Sequence, residues 1–113
     1  MQAYLLYQQN QFEDANRIFN QGRLDDLLPI DLNYAGMSAL SVNPPNTTIA
    51  KRYFEELSSR TGHDFTNSAK WHLALINVLE GNTDNAKPFL EELSSGGTNK
   101  YSSSAKELLE SMD

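Results

Sequence analysis

The chain has 113 residues, with 15 Asp and Glu against 9 Lys and Arg, a net charge of −6, a pI near 4.8 and no cysteine. The charge has the wrong sign for a general binder of the nucleic-acid backbone, and the missing cysteines exclude disulfide scaffolds, thiolate metal sites and cysteine nucleophiles. No apolar run is long enough to cross a bilayer, and the opening MQAYLLYQQNQFEDA has neither the basic nor the apolar region of a signal peptide, so the expected setting is the cytoplasm or the soluble part of an envelope protein.

Leu and Ala together supply 24 residues and Val and Ile only 6. Unbranched and small side chains keep rotamer freedom in a helix, whereas β-branched ones favour a pleated surface. No stretch alternates with period two. The expectation is an all-α chain of about seven helices in one domain over 1–113.

In chain order, Ala3, Leu6 and Tyr7 mark a first helix over 2–10, which ends at Asn10-Gln11. A second covers 12–21, with Ala15, Ile18 and Phe19 on one stripe and Gly22 beyond it. Pro29 disfavours helix at Leu28, so Asp31 is the predicted N-cap of a third helix ending near Leu40. Asn43-Pro44-Pro45-Asn46 is a turn, after which Thr47 or Thr48 would cap a helix over 49–59. Thr61-Gly62-His63-Asp64 is the next break, and Thr66 or Asn67 would cap SAKWHLALINVLE, stopped by Gly81 as a left-handed terminator. Asn82-Thr83-Asp84 opens another helix, which Pro88 does not veto because it removes at most one backbone bond. After Gly96-Gly97-Thr98-Asn99 a last helix runs from about Ser102 to Met112, where Ser104 and Glu107 have capping-box spacing.

A repeat underlies these segments. Ala15/Phe19/Gly22, Ala50/Phe54/Leu57 and Ala86/Leu90/Leu93 share the spacing +4, +3, which keeps each triplet on one helical stripe, and their starts lie 35 and 36 residues apart. A turn residue precedes each triplet (Asn10, Asn43, Gly81), and seven positions before each of these stands a small one: Ala3, Gly36 and Ala74. Two antiparallel helices approach closely where one presents Ala or Gly, and a tight turn between them favours Gly or Asn.

On these residues the chain resembles the tetratricopeptide repeat, over repeat-like units at about 2–22, 31–59 and 67–94, with 102–112 similar to a closing helix. The third unit, AKWHLALINVLEGNTDNAKPFLEEL, looks like the last repeat of many bacterial members. Lys70 and Asn77 stand where the family has aromatics, Asn10 and Asn43 where Gly is usual, and the second turn is longer. The first helix is short and lacks an N-cap, and the Ser-Met-Asp ending follows an amphipathic helix, so the expectation is the C-terminal portion of a longer protein, the alternative being a trimmed native first helix. The apolar flank of Tyr4, Leu5 and Tyr7 would then be open to pairing with a second copy.

The resemblance implies a right-handed array of hairpins with a groove lined by the first helix of each unit. Matched positions are Tyr4 and Tyr7, then Asn33, Met37 and Leu40, then Trp71, Leu75, Val78 and Leu79. Buried aromatics anchor interfaces, which favours Trp71 as a contact; alternatively the closing helix covers this last set through Tyr101, Leu108 and Leu109. The groove positions lack the fixed cations that clamp a partner's terminal carboxylate.

No catalytic, cofactor or metal site is expected. His63 and His72 stand nine positions apart, which matches no metal-ligand pattern. The pairs Glu13-Asp14, Asp25-Asp26, Glu55-Glu56 and Glu91-Glu92 are sequence neighbours, and such neighbours diverge by about 100° on a helix. Ser103 and Lys106 have SxxK spacing without the SDN and KTG elements of serine acyl-enzymes. Asn46-Thr47-Thr48 is a glycosylation sequon in form alone. The expected role is therefore a non-catalytic protein–protein interaction or scaffold module with a protein or peptide partner. The alternative is a structural or oligomerisation tail of a larger, membrane-anchored or regulatory, bacterial protein. Neither involves nucleic acid or direct membrane insertion.

Overall fold

The computed structural model of the chain describes residues 8–9, 11–21, 23–95 and 99–112. Regular structure among them is entirely helical, as the Leu- and Ala-rich composition predicts. Six α-helices follow in order: α1 Phe12–Asn20, α2 Pro29–Ser41, α3 Thr47–Ser59, α4 Thr66–Leu79, α5 Thr83–Ser95 and α6 Ser102–Ser111, with a 3₁₀ turn at Leu24–Asp26. The predicted helix over 2–10 lies outside the described residues except for positions 8 and 9.

The caps correct the sequence reading at four helix starts. Leu28 is extended, as a residue before proline should be, and α2 begins at Pro29 itself, where a missing N–H costs nothing. Asp31 is therefore the third helical residue, and its carboxylate accepts the Leu28 N–H at 3.1 Å. In α3 the cap is Asn46, which accepts the Ile49 N–H at 3.2 Å, and both Thr47 and Thr48 are already helical. Thr66 and Asn67 are helical in the same way. The Ser104/Glu107 box does not form, because α6 starts at Ser102; the Tyr101 N–H is taken instead by Asn99 Oδ1 at 2.8 Å.

Two features follow the sequence closely. Gly81 adopts φ 79°, its N–H bonds the Val78 carbonyl at 3.1 Å, and the Asn82 N–H bonds the Asn77 carbonyl at 2.7 Å. This paired stop on α4 needs a left-handed residue that glycine supplies without a Cβ clash. Pro88 sits exposed inside α5, and the helix continues through it to Ser95.

The chain divides into two units, Met1–Phe65 and Thr66–Asp113, with the boundary between the second and third repeat-like segments. In the first unit α1 packs on α2 and α2 on α3. Ala15, Phe19, Ala50, Phe54 and Leu57, five of the repeat positions, are buried there together with Leu32, Ala35 and Ala39. Gly36 lets α2 and α3 meet: a Cβ at that position would stand 2.5 Å from Phe54 Cε2. In the second unit α4 packs on α5 and α5 on α6, around a cluster of Ala74, Ala86, Leu90, Leu93 and Ala105. Burying each Leu or Phe side chain contributes about 1.5–3 kcal/mol, so the triplet positions are major contributors to each hairpin.

Candidate functional site

The groove positions lie on α2 in the first unit and α4 in the second, so each set is built by its own hairpin. On α2, spacing by four and three places Asn33, Met37 and Leu40 along one strip, while Gly36 and Ala39 face the interior. Met37 and Leu40 are half-buried and present part of their apolar surface. Asn33 does not: it is 8% exposed, and its Nδ2 lies 3.5 Å from Met37 Sδ. The expectation that Asn33 lines an open surface is corrected, since a short amide on the flank of a packed helix is covered by its longer neighbours. Ser38, fully buried, donates to the Tyr34 carbonyl at 2.8 Å, so its hydroxyl carries no desolvation penalty. Tyr4 and Tyr7 lie outside the described residues.

On α4 the matched residues part company. Trp71 stacks on Tyr101 with ring centroids 5.8 Å apart and planes at 23°, and both pack against the buried cluster with Val78, Leu108 and Leu109. Trp71 thus has the neighbours that the covering reading names, and it remains half-buried. Leu75 is half-buried, and Leu79 is 63% exposed at the last turn of the helix. Lys70, which stands where the family has an aromatic, pairs with Glu92 of α5 at 2.7 Å. Asn77, the other departure, is buried and donates to the Leu73 carbonyl at 2.8 Å.

Both histidines serve the backbone. The Phe65 N–H donates to His63 Nδ1 at 3.0 Å, so Nε2 carries the proton and donates to the carbonyls of Leu57 and Arg60, each at 3.0 Å. This closes the C-terminal end of α3. His72 Nδ1 lies 2.7 Å from the Ser68 carbonyl, to which it donates; burial holds its pKa below the ordinary imidazole value, reinforced by the charge of Lys100 and opposed by the Ser68 bond. Among the described residues no three His, Asp or Glu side chains gather in a way that could hold a metal ion, and no helix is long and apolar enough to cross a membrane.

Sequence reasoning missed two arrangements. Arg60 pairs with Glu56 at 2.9 Å, reaches the Leu24 carbonyl at 3.0 Å and also bonds the Leu27 carbonyl, pinning the 3₁₀ turn to the end of α3. The Glu56–Arg60 spacing was legible as a helical pair, but its tertiary partners were not. The second is a cleft of about 260 Å³ lined by Asn20, Leu24, Ile49, Arg52 and Tyr53. The Tyr53 hydroxyl donates to Asn20 Oδ1 on its wall, and burial raises the phenol pKa, so the hydroxyl stays protonated.

Comparison with family models, with characterised proteins and with solved structures finds no match for this chain.

Proposed function

We propose that the chain is a non-catalytic protein–protein interaction module of the tetratricopeptide-like kind, binding a partner segment on an exposed helix flank, that of α2 in the first unit or that of α4 in the second. The observation that carries this reading is the division of labour within each hairpin. The repeat-matched small residues Gly36 and Ala74 are buried, whereas Met37 and Leu40 on α2 and Leu75 and Leu79 on α4 keep apolar surface accessible. Accessible apolar side chains on preformed helices bind an extended or helical segment at low ordering cost. Asn33 contributes little to the contact set because it is buried, whereas Trp71, half-buried in its stack on Tyr101, offers only its remaining face.

The test is a pull-down from the source lysate, followed by binding of the recovered partner to Met37→Glu and Leu79→Glu variants. Binding weakened at least tenfold by either variant, with helicity by circular dichroism unchanged, supports the reading. Unchanged affinity in both variants overturns it.

The second reading, an oligomerisation or structural tail of a larger bacterial protein, draws on a different patch. Leu28 is 62% exposed and Ile30 38% exposed on either side of Pro29 at the start of α2. Light scattering over a concentration series separates the two readings. A dimer that strengthens with concentration and is lost in Leu28→Glu favours the tail.

A further inference from the structure

The cleft between the end of α1, the 3₁₀ turn and α3 has a composition the helix-flank reading does not use. Its lining combines two apolar side chains, Leu24 of the 3₁₀ turn and Ile49 of α3, with the Tyr53–Asn20 pair and Arg52, and Ile49, Arg52 and Tyr53 share one face of α3. Tyr53 spends its proton on Asn20 Oδ1, which leaves the two Nδ2 hydrogens of Asn20 as donors. Arg52 adds a guanidinium, a permanent charge with forked donors that match a carboxylate. Among the described residues Arg17, Arg60 and Lys70 are ion-paired with carboxylates of the chain, and Arg52 is not. Glu56, which lies one helical turn from Arg52, is engaged by Arg60.

We propose that this cleft is a binding site for a small monocarboxylate with a short unbranched apolar body, the carboxylate held by Arg52 and Asn20 and the body lying against Leu24 and Ile49. Charge and size select that class. The chain carries a net charge of −6, so an anion is repelled at long range and binds only where a local cation overcomes that field. A dianion would leave one of its charges uncompensated by the single guanidinium this cleft offers. The volume of about 260 Å³ lies just below the usual range of small-molecule sites, which limits the body to a short chain. An alcohol of the same length would bury the same apolar surface but leave Arg52 without its counter-charge.

The experiment is a titration of the isotope-labelled full chain with hexanoate, hexanol and hexylamine in turn, followed by backbone amide shifts. The proposal expects saturable changes with hexanoate, on the order of 1 mM in affinity, centred on Asn20, Leu24, Ile49, Arg52 and Tyr53. Arg52→Gln, a change on the exposed face of α3 that leaves the core intact, should weaken hexanoate at least about tenfold. Four outcomes overturn the site: no saturation with hexanoate, equal saturation with hexanol or hexylamine, undiminished binding in Arg52→Gln, or the same amides shifting on simple dilution. The last would mean that a second copy of the chain, not a small acid, occupies the cleft.

Discussion

The hairpins α2/α3 and α4/α5 share one plan and close it with different volumes. In the first, Gly36 gives up its side chain so that the Phe54 ring can press against the α2 backbone. In the second, Ala74 shares a cluster with Leu90, the residue that matches Phe54 in the repeat. Small-with-large and medium-with-medium are two solutions to the same packing requirement, because helix separation depends on the sum of the two side chains and not on either alone. The connections differ in the same spirit. The first hairpin uses two prolines and an Asn46 cap, so the order comes from the start of the following helix. The second uses Gly81 to terminate the preceding one.

That comparison can be broken at the Gly36–Phe54 contact, where the largest effect is expected. Gly36→Ala should destabilise the chain by about 1–3 kcal/mol in urea unfolding, because the new methyl meets a fully buried ring with no room to retreat. Combining it with Phe54→Leu should recover part of that loss, since the pair then copies Ala74 and Leu90. A double variant no more stable than Gly36→Ala alone would show that the two hairpins are not volume-equivalent. The turns give the next effect. Gly81→Ala should cost about 1–2 kcal/mol by forcing a Cβ into the left-handed region. Asn46→Ala should cost about 1 kcal/mol through the lost cap, and no loss there would show that the first turn is not held from the start of α3.

The smallest effect concerns pH. Burial keeps His72 below the ordinary imidazole value of 6.5 in the folded chain, so the unfolded chain takes up the proton first as pH falls. Its contribution to stability is whole above that value and declines as pH drops through it toward the folded one. The urea midpoint should therefore fall between about pH 7.5 and about pH 5.5, and His72→Gln should flatten that fall. An equal slope in the variant would assign the titration elsewhere.

Much of the fold was legible because hydrophobic spacing survives any choice of turn. The +4, +3 triplets name buried residues in both units, and Gly81 stands at a helix end where a left-handed residue completes two backbone bonds. Helix starts were less legible. Asn46, Thr47 and Thr48 are all competent caps, and the choice among them depends on where the preceding prolines aim the chain. Ser104 had the right spacing to Glu107, but Asn99 orders the approach to α6 several residues earlier. The surface was the least legible part. Nothing in the neighbourhood of Asn33 announces that its amide is buried, and the fate of Trp71 is set by Tyr101, on the far side of α5 in the sequence. Such partners are fixed by tertiary packing, which local spacing does not encode.

Arg60 ties the connection between α1 and α2 from outside that connection. A guanidinium that reaches two carbonyls, at Leu24 and Leu27, recognises main chain and ignores what the loop's own side chains are. The exposed Asp25 and Asp26 are thereby released from any duty in shaping the turn, and those two positions become a place where sequence can drift, or be rewritten by an engineer, while Leu27 beside them stays buried. The dependence is moved to a single distant codon. Lysine, with one compact charge in place of a planar fork, could not inherit it.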